Sequence, residues 1–303
     1  MRWRSRLSVL VTAAVGLGAC GGGEAALPDE EWTYGPSLSS RRSYIAAARV
    51  GPTIYVAGGM VGETGRPLAT FQRLDTSKGS WETLSPLPAP TRAAAAAAVG
   101  GVLFVVGGTT PEGNTTAVWA WDGERWRARA PLPAPRFNHE AVALDGRVYV
   151  LGGFERGQEH DEVYAYDPAA DRWELVSRLP APNHAFGAVA FRDEIWLIGG
   201  RRGERILDEV RIFDPATRSW RGGRTLPEPM ELLGAAVAGD EIHAVWEDVY
   251  QWYDASDERW RRGPRPIVTR HALQAFAIDG VLYTVGGCTT ALRDSPVVET
   301  LRL

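Results

Sequence analysis

Short apolar segments separated by turn residues recur along most of the chain, and residues 136–179 show the pattern in full. A polar start leads into an apolar run at 141–144, and a turn at Asp145-Gly146 leads into a second run that ends at Gly152-Gly153. Two further short segments follow, the second around Trp173. Short apolar runs bounded by turn signals are typical of β-strands. The pattern therefore predicts four strands in this stretch, with no room for a helix of ordinary length.

The same pattern recurs at intervals of 45 to 49 residues and is present in six copies. One copy is altered, because Trp246-Glu247 stands where the others have two glycines. The glycine pairs are Gly58-Gly59, Gly107-Gly108, Gly152-Gly153, Gly199-Gly200 and Gly286-Gly287. The tryptophan that marks each copy is Trp32, Trp81, Trp126, Trp173, Trp220 or Trp260. Self-similarity at a fixed period indicates a repeat architecture.

These motifs resemble the kelch repeat, in which an apolar strand ends at Gly-Gly and an aromatic-Asp pair precedes a tryptophan. Tyr166-Asp167 ahead of Trp173 is one example, and the match runs from about Trp32 to Leu303. The resemblance implies an all-β fold, a six-bladed kelch-type β-propeller with one four-stranded antiparallel blade per repeat. Kelch repeats occur in proteins of unrelated function, so the family alone does not define a chemistry.

The residue sizes along each repeat agree with a radial arrangement. First strands should crowd near the axis, and they are built from small residues such as 93–98 and 187–190. Six alanines in a row would elsewhere favour a helix, but the equivalent segments contain glycine or β-branched residues. The tryptophans are expected in the wider outer part, each burying ~150–250 Å² against the next blade. The glycine pairs are expected to have a structural role.

The two ends of the repeat region predict how the ring closes. Trp32 has the character of a fourth-strand residue, but no first three strands precede it. Residues 297–303 look like a third strand with no tryptophan after it. The N-terminal strand is therefore expected to complete the C-terminal blade, which removes the open sheet edges. Residues 31–303 are predicted to form this single propeller, since no linker interrupts the repeats.

Residues 1–19 are predicted to be a signal peptide. Arg2, Arg4 and Arg6 precede an apolar run that is too short to span a bilayer as a stable helix. The run ends in Leu17-Gly18-Ala19-Cys20, which resembles the lipobox of bacterial lipoproteins.

The lipobox resemblance implies a lipid on Cys20, followed by a flexible tether over residues 20–30. Gly21 is not the aspartate that retains lipoproteins in the inner membrane, so the expected location is the cell envelope, at the outer membrane where there are two. An ordinary secretory signal is the alternative. Cys288 is the only other cysteine, so no disulfide framework is expected in the mature chain.

Charge excludes one class of partner. The formal charge is −4 and becomes −7 without the three leader arginines. A mildly acidic exported chain lacks the electrostatic footprint of a nucleic-acid-binding protein. We expect a monomer that contacts the membrane only through the lipid on Cys20.

The loops after the glycine pairs are longer and more variable than the turns on the opposite face, and such loops commonly carry binding. Polar residues at the first-strand starts and in one loop on this face are the candidate ligand rim: Arg42, Arg136, Asn138, His184, Arg201, Glu231, Arg270 and His271. The kelch resemblance implies that arginines here line a pocket mouth, and arginine binds carboxylates through two parallel hydrogen bonds. The alternative is that these arginines pair with the loops of neighbouring blades.

No catalytic motif, metal site or cofactor is predicted. The histidines are scattered over different repeats without the spacing of a metal cluster, which argues against copper chemistry of the galactose oxidase kind. The acidic stretch 155–162 could hold a cation, but it is interpreted as a solvated loop.

Two functional classes remain. We favour an envelope-anchored module that binds a protein or a glycan through the loop face. The alternative is a sugar mutarotase resembling the periplasmic N-acetylneuraminate epimerases, which are exported six-bladed kelch proteins. Such an enzyme needs a general acid or base at the bound sugar, and Glu231 and His184 are the nominees.

Overall fold

The computed structural model describes residues 31–62, 64–289 and 293–303. The signal peptide, the lipidated Cys20 and the tether predicted for residues 1–30 lie outside this part. Across the described residues the chain forms strands and turns, arranged as six four-stranded antiparallel sheets and four two-stranded hairpins. None of these residues belongs to a helix long and apolar enough to cross a membrane. The all-β, six-bladed propeller predicted from the repeats is confirmed.

The strands follow one another along the chain as six blades. The described chain begins with β1 (Thr33–Tyr34). Blade 1 contains β2 (Ala46–Val50), β3 (Thr53–Ala57), the hairpin β4 (Met60–Val61) and β5 (Arg66–Pro67), β6 (Phe71–Asp75) and β7 (Ser80–Leu84). Blade 2 contains β8 (Ala95–Val99), β9 (Val102–Val106), the hairpin β10 (Thr109–Thr110) and β11 (Gly113–Asn114), β12 (Val118–Trp121) and β13 (Trp126–Ala128). Blade 3 contains β14 (Glu140–Leu144), β15 (Arg147–Leu151), the hairpin β16 (Phe154–Glu155) and β17 (Gln158–Glu159), β18 (Glu162–Asp167) and β19 (Arg172–Arg178).

The second half of the ring follows the same plan, except that blades 5 and 6 have no two-stranded hairpin among the described residues. Blade 4 contains β20 (Gly187–Phe191), β21 (Glu194–Ile198), the hairpin β22 (Arg201–Arg202) and β23 (Arg205–Ile206), β24 (Val210–Asp214) and β25 (Ser219–Gly222). Blade 5 contains β26 (Gly234–Ala238), β27 (Glu241–Trp246), β28 (Val249–Asp254) and β29 (Arg259–Arg262), with no hairpin inserted between β27 and β28. Blade 6 contains β30 (Gln274–Ile278), β31 (Val281–Val285), β32 (Val298–Arg302) and, from the other end of the chain, β1.

The ring closes as the two chain ends predict. Strand β1 pairs antiparallel with β32, with Thr33 opposite Thr300 and Tyr34 opposite Glu299. The indole N–H of Trp32 donates to the carbonyl of Pro264 at 2.8 Å, which ties the closing strand to the end of blade 5.

The apolar core is divided into six clusters, one between each pair of neighbouring blades. The repeat tryptophans lie at the outer edge of these clusters. Trp81, for example, donates its indole N–H to the carbonyl of Pro36, and Trp173 does so to that of Ala130. We expected each tryptophan to lie against the next blade. Each tryptophan lies instead against the preceding blade. The carbonyl that accepts its indole N–H belongs to the segment that connects the preceding blade to its own.

A closed ring of backbone hydrogen bonds surrounds the axis. Six equivalent residues have left-handed backbone conformations, with φ between 48° and 57°: Tyr44, Ala93, Asn138, Ala185, Leu232 and Ala272. Each donates its N–H to the carbonyl of the equivalent residue in the preceding blade, at 2.6 to 3.2 Å. Such a conformation costs a non-glycine residue of the order of 1 kcal/mol or more. The ring offsets this cost by joining all six blades.

The glycine pairs make a second contact between neighbouring blades. The second glycine donates its N–H to the next blade, as Gly59 does to the carbonyl of Thr91 at 2.9 Å. A Cβ on the first glycine would approach that same carbonyl, at 2.3 Å for Gly58. In blade 5 Glu247 takes the second position with φ 51° and keeps the hydrogen bond, to the carbonyl of Arg270. The pairs therefore allow blades to approach closely.

Candidate functional site

The starts of the first strands and the loops after the glycine pairs meet on one face. Residues of the two segments form isolated bridges, such as His184 with Arg201 and His271 with Cys288. We call this side the loop face, and the side with the tight turns the turn face. Because only Glu247 and Asp248 connect β27 to β28 in blade 5, the loop face has a gap between the longer loops of blades 4 and 6.

The arginines expected at the rim lie inside the blades. Arg42, Arg136 and Arg270 are fully buried and occupy equivalent repeat positions. Arg136 donates to the carbonyl of Gly152 at 2.8 Å and lies 3.5 Å from a carboxylate oxygen of Glu162.

The other two arginines are held in the same way. Arg42 donates to the carbonyls of Gly58 and Thr70 and to the side chain of Gln72. Arg270 donates to the carbonyls of Gly286 and Val297 and to the side chains of Thr284 and Glu299. All these partners belong to the arginine's own blade. The three arginines therefore neither line the pocket mouth nor pair with the loops of neighbouring blades. Their long side chains satisfy carbonyls that the glycine pairs leave without a strand partner.

Four of the predicted residues do gather around the channel mouth, on blades 4 to 6. Arg201 pairs with Glu231 at 2.8 Å across two blades. His184 Nδ1 lies 3.4 Å from Glu159, and His271 Nδ1 lies 3.9 Å from Glu247. The mouth therefore carries donors and acceptors close together. Arg201 and Glu231 are hydrogen-bonded to each other, whereas His184 Nδ1 has no hydrogen-bond partner among the described residues.

Burial and nearby carboxylates act in opposite directions on the two histidines. Burial lowers the pKa of His184, while Glu159 and Glu231 raise it. Burial also lowers the pKa of His271, against the effect of Glu247 and Glu231. Since burial dominates in both, the imidazoles are neutral near pH 7. The hydrogen bond to Glu231 raises the pKa of Arg201, which stays charged.

Asn138 lies at the mouth through its place in the ring of left-handed residues. Tyr44 holds the same position in blade 1, and burial raises the pKa of its phenol to about 12. Tyr44 and Glu247 were missed by the sequence reasoning. Aligning the six repeats position by position would have found them, because Tyr44 aligns with Asn138 and Glu247 with the second glycine.

Cys288 and His271 have the spacing of a nucleophile and its base, with Sγ 3.3 Å from Nε2. The thiol, however, is fully buried, and burial raises its pKa to about 11. A reactive cysteine needs an exposed thiolate, so this pair is structural.

The acidic stretch of blade 3 is engaged by protein groups. Glu159 accepts the N–H of Gly203 at 2.6 Å, and Asp161 pairs with Arg178. Glu162 lies 3.0 Å from His160 Nδ1. No group of three or more histidine, cysteine or acidic side chains able to hold a metal ion occurs within the part of the chain that the structure describes.

A closed ring of six blades with variable loops around one channel mouth defines a six-bladed β-propeller. A family model described as the KLHDC2/KLHL20/DRC7 Kelch-repeats domain matches residues 45–245, and the chain belongs to the kelch-repeat family. It is also similar to the solved structure titled "Structure of YjhT", with a TM-score of 0.76 and 16% identity. That similarity covers 86% of this chain and 95% of the other, and it concerns the fold alone.

Proposed function

We propose that this chain is an interaction module that binds a protein or glycan partner through the mouth of its loop face. The observation that carries this proposal is the gathering of His184, Arg201, Glu231 and His271 beside the gap at blade 5. Kelch propellers generally mediate protein interactions, and the rigid ring holds these side chains in fixed positions.

The composition of the mouth favours a polar ligand of low net charge. Arg201 and Glu231 offer donors and acceptors side by side, as hydroxyl groups and peptide groups require. Phe154 stands next to them, with its ring 5.0 Å from that of His184 and 5.6 Å from that of Phe137. An aromatic surface beside paired polar groups suits a sugar ring or a peptide side chain.

The binding site can be tested with an array of envelope glycans and peptides, followed by titration of each ligand found. We expect Glu231→Gln and Arg201→Gln to weaken binding at least about tenfold, since each removes a hydrogen bond to a charged group. Arg205→Gln is the matched control, because Arg205 lies on the same hairpin with 69% of its side chain exposed. Equal losses in all three variants, or no ligand at all, would contradict the proposal.

The mutarotase alternative has some support, since its nominees Glu231 and His184 both lie at the mouth. Glu231 is, however, already paired with Arg201, and a partly buried, neutral His184 must supply any proton transfer alone. Anomer exchange of sialic acid and common hexoses, followed by NMR, separates the two functions. Acceleration that is lost in Glu231→Gln would favour the enzyme.

For the location, we propose export and lipid anchoring at Cys20. In cells fed an alkyne-labelled fatty acid, we expect the wild type to be labelled and to fractionate with membranes. Cys20→Ala should lose the label, whereas Cys288→Ala should keep it, since Cys288 is buried in blade 6. An unlabelled wild type would support the ordinary secretory signal instead.

A further inference from the structure

Two polar side chains at one repeat position reach the axial channel. The first residue of each innermost strand is Ala46, Ala95, Glu140, Gly187, Gly234 or Gln274, and of these Glu140 and Gln274 line the cavities along the axis. Four of these positions carry alanine or glycine. Glu140 belongs to blade 3 and Gln274 to blade 6, which are opposite in a ring of six. Glu140 and Gln274 therefore line the channel from opposite blades.

Glu140 and Gln274 stand at the boundary between two cavities that both residues line. Above them is a small cavity of about 40 Å³ beneath the ring of left-handed residues. Below them the channel widens to about 330 Å³ toward the turn face, lined mainly by alanines. The innermost strands are sheet edges, so their backbone groups on this side have no strand partner.

The carboxyl of Glu140 has no counter-charge in the part of the chain described. Burial raises its pKa to about 8, and the effect is opposed only by the N–H of Ala141. Arg49 is the other charged side chain along the wide part of the channel, and it has no resolved influence on Glu140. A carboxyl that is partly buried without a counter-charge is costly to ionise, and a bound cation would lower that cost.

We infer that the axial channel binds a small primary organic ammonium ion, entering from the turn face, with its head between Glu140 and Gln274. An ammonium group has three N–H donors. The two carboxylate oxygens of Glu140 and the amide oxygen of Gln274 match that number. A metal ion such as calcium takes six or more oxygens, far more than the side chains at this level supply.

The volumes agree with such a ligand. A cavity of about 40 Å³ has room for the ammonium head with one or two waters. The carbon body would extend into the wider channel among the alanine side chains. The ring of left-handed residues lines the small cavity at the upper end of the channel. The two residues of this site, Glu140 and Gln274, are not among those proposed to bind a partner at the loop face.

The full chain can be titrated with n-butylammonium chloride by calorimetry, with ligand-to-alanine-methyl contacts followed by NMR. We expect binding at pH 8 that Glu140→Gln weakens at least about tenfold and that Gln274→Leu weakens less. Tetramethylammonium, which has no N–H donor, and n-butanol, which has no charge, are expected to bind at least about tenfold more weakly. Equal binding by Glu140→Gln, equal binding of either analogue, or no binding of n-butylammonium would overturn the inference.

The pH dependence gives a second readout. Among the side chains that line the cavity above Glu140, burial raises the pKa of Tyr44 to about 12 and lowers that of His139 to about 3. Only Glu140 therefore titrates between pH 6 and 8. Affinity is expected to rise roughly fifty-fold over this range in the wild type as the carboxyl ionises. It should stay flat in Glu140→Gln, and a wild type that is equally flat would contradict the inference.

The variant's own folding can be checked independently of the ligand. Because burial raises the pKa of Glu140, the folded chain holds a proton that the unfolded chain releases, so this residue lowers stability as the pH rises toward 8. Glu140→Gln should therefore melt at a higher temperature than the wild type at pH 8, with a smaller difference at pH 5. If Glu140→Gln melts at a lower temperature than the wild type at both pH 5 and pH 8, the raised pKa assigned to Glu140 is wrong.

Discussion

Removal of residues 30–38 is expected to destabilise the whole ring rather than one blade. These residues include β1, which completes blade 6, and Trp32, which packs between blades 5 and 6. Without them, the outer edge of β32 and the cluster around Trp32 would be exposed to water. Thermal unfolding should shift well below that of the wild type and lose cooperativity.

Single substitutions separate the stability contributed by the packing of Trp32 from that contributed by the pairing of β1. Trp32→Ala should cost about 3–5 kcal/mol, as for other buried tryptophans, which is a fall in Tm of roughly 10 °C for a domain of this size. Tyr34→Ala is the control, since Tyr34 lies two residues after Trp32, in β1, with 64% of its surface exposed. It should change stability by less than about 0.5 kcal/mol. Unchanged unfolding after removal of residues 30–38 would refute this mode of closure.

Glu299→Ala is expected to be among the most damaging single changes in the chain. Glu299 and Arg270 form an ion pair in which both side chains are fully buried. Burial lowers the pKa of Arg270, but not enough to discharge a guanidinium. Removing the carboxylate would leave a buried positive charge unpaired, at a cost of about 3–5 kcal/mol. Denaturant unfolding with the m-value held fixed measures this directly.

Two comparisons test the cause of that loss. Glu82→Ala removes one member of the exposed pair with Arg73 and should cost less than about 1 kcal/mol. The double change Arg270→Met with Glu299→Leu should recover much of the loss, because it leaves no charge behind. If the double variant is as unstable as the sum of the two single ones, an unpaired charge is not the cause.

The blade count and the closure could be predicted because they depend on spacing. Gly58-Gly59 and its equivalents mark each repeat at a fixed interval, and the partial repeats at Trp32 and at residues 297–303 are complementary. The left-handed ring could not be predicted in this way. Leu232 and Ala272 have positive φ, although neither residue type signals such a backbone. The hydrogen bonds between blades impose it.

The candidate site was predicted only in part, because burial depends on the neighbours in space. Arg136 and His184 are both polar residues at a strand start, but Arg136 is long enough to reach the carbonyl of Gly152 and is enclosed there. His184 is shorter and remains at the mouth. Glu140 was not singled out from the sequence, because it lies between the polar start and the apolar run of its repeat. The structure places it in the channel.

The closing strand has a mechanical consequence. Strand β1 holds two paired residues and is the first strand of the described chain. A pull exerted from the N-terminal side would first load the Trp32 contact with blade 5. It would then peel β1 from β32 one residue pair at a time, before any other blade is loaded.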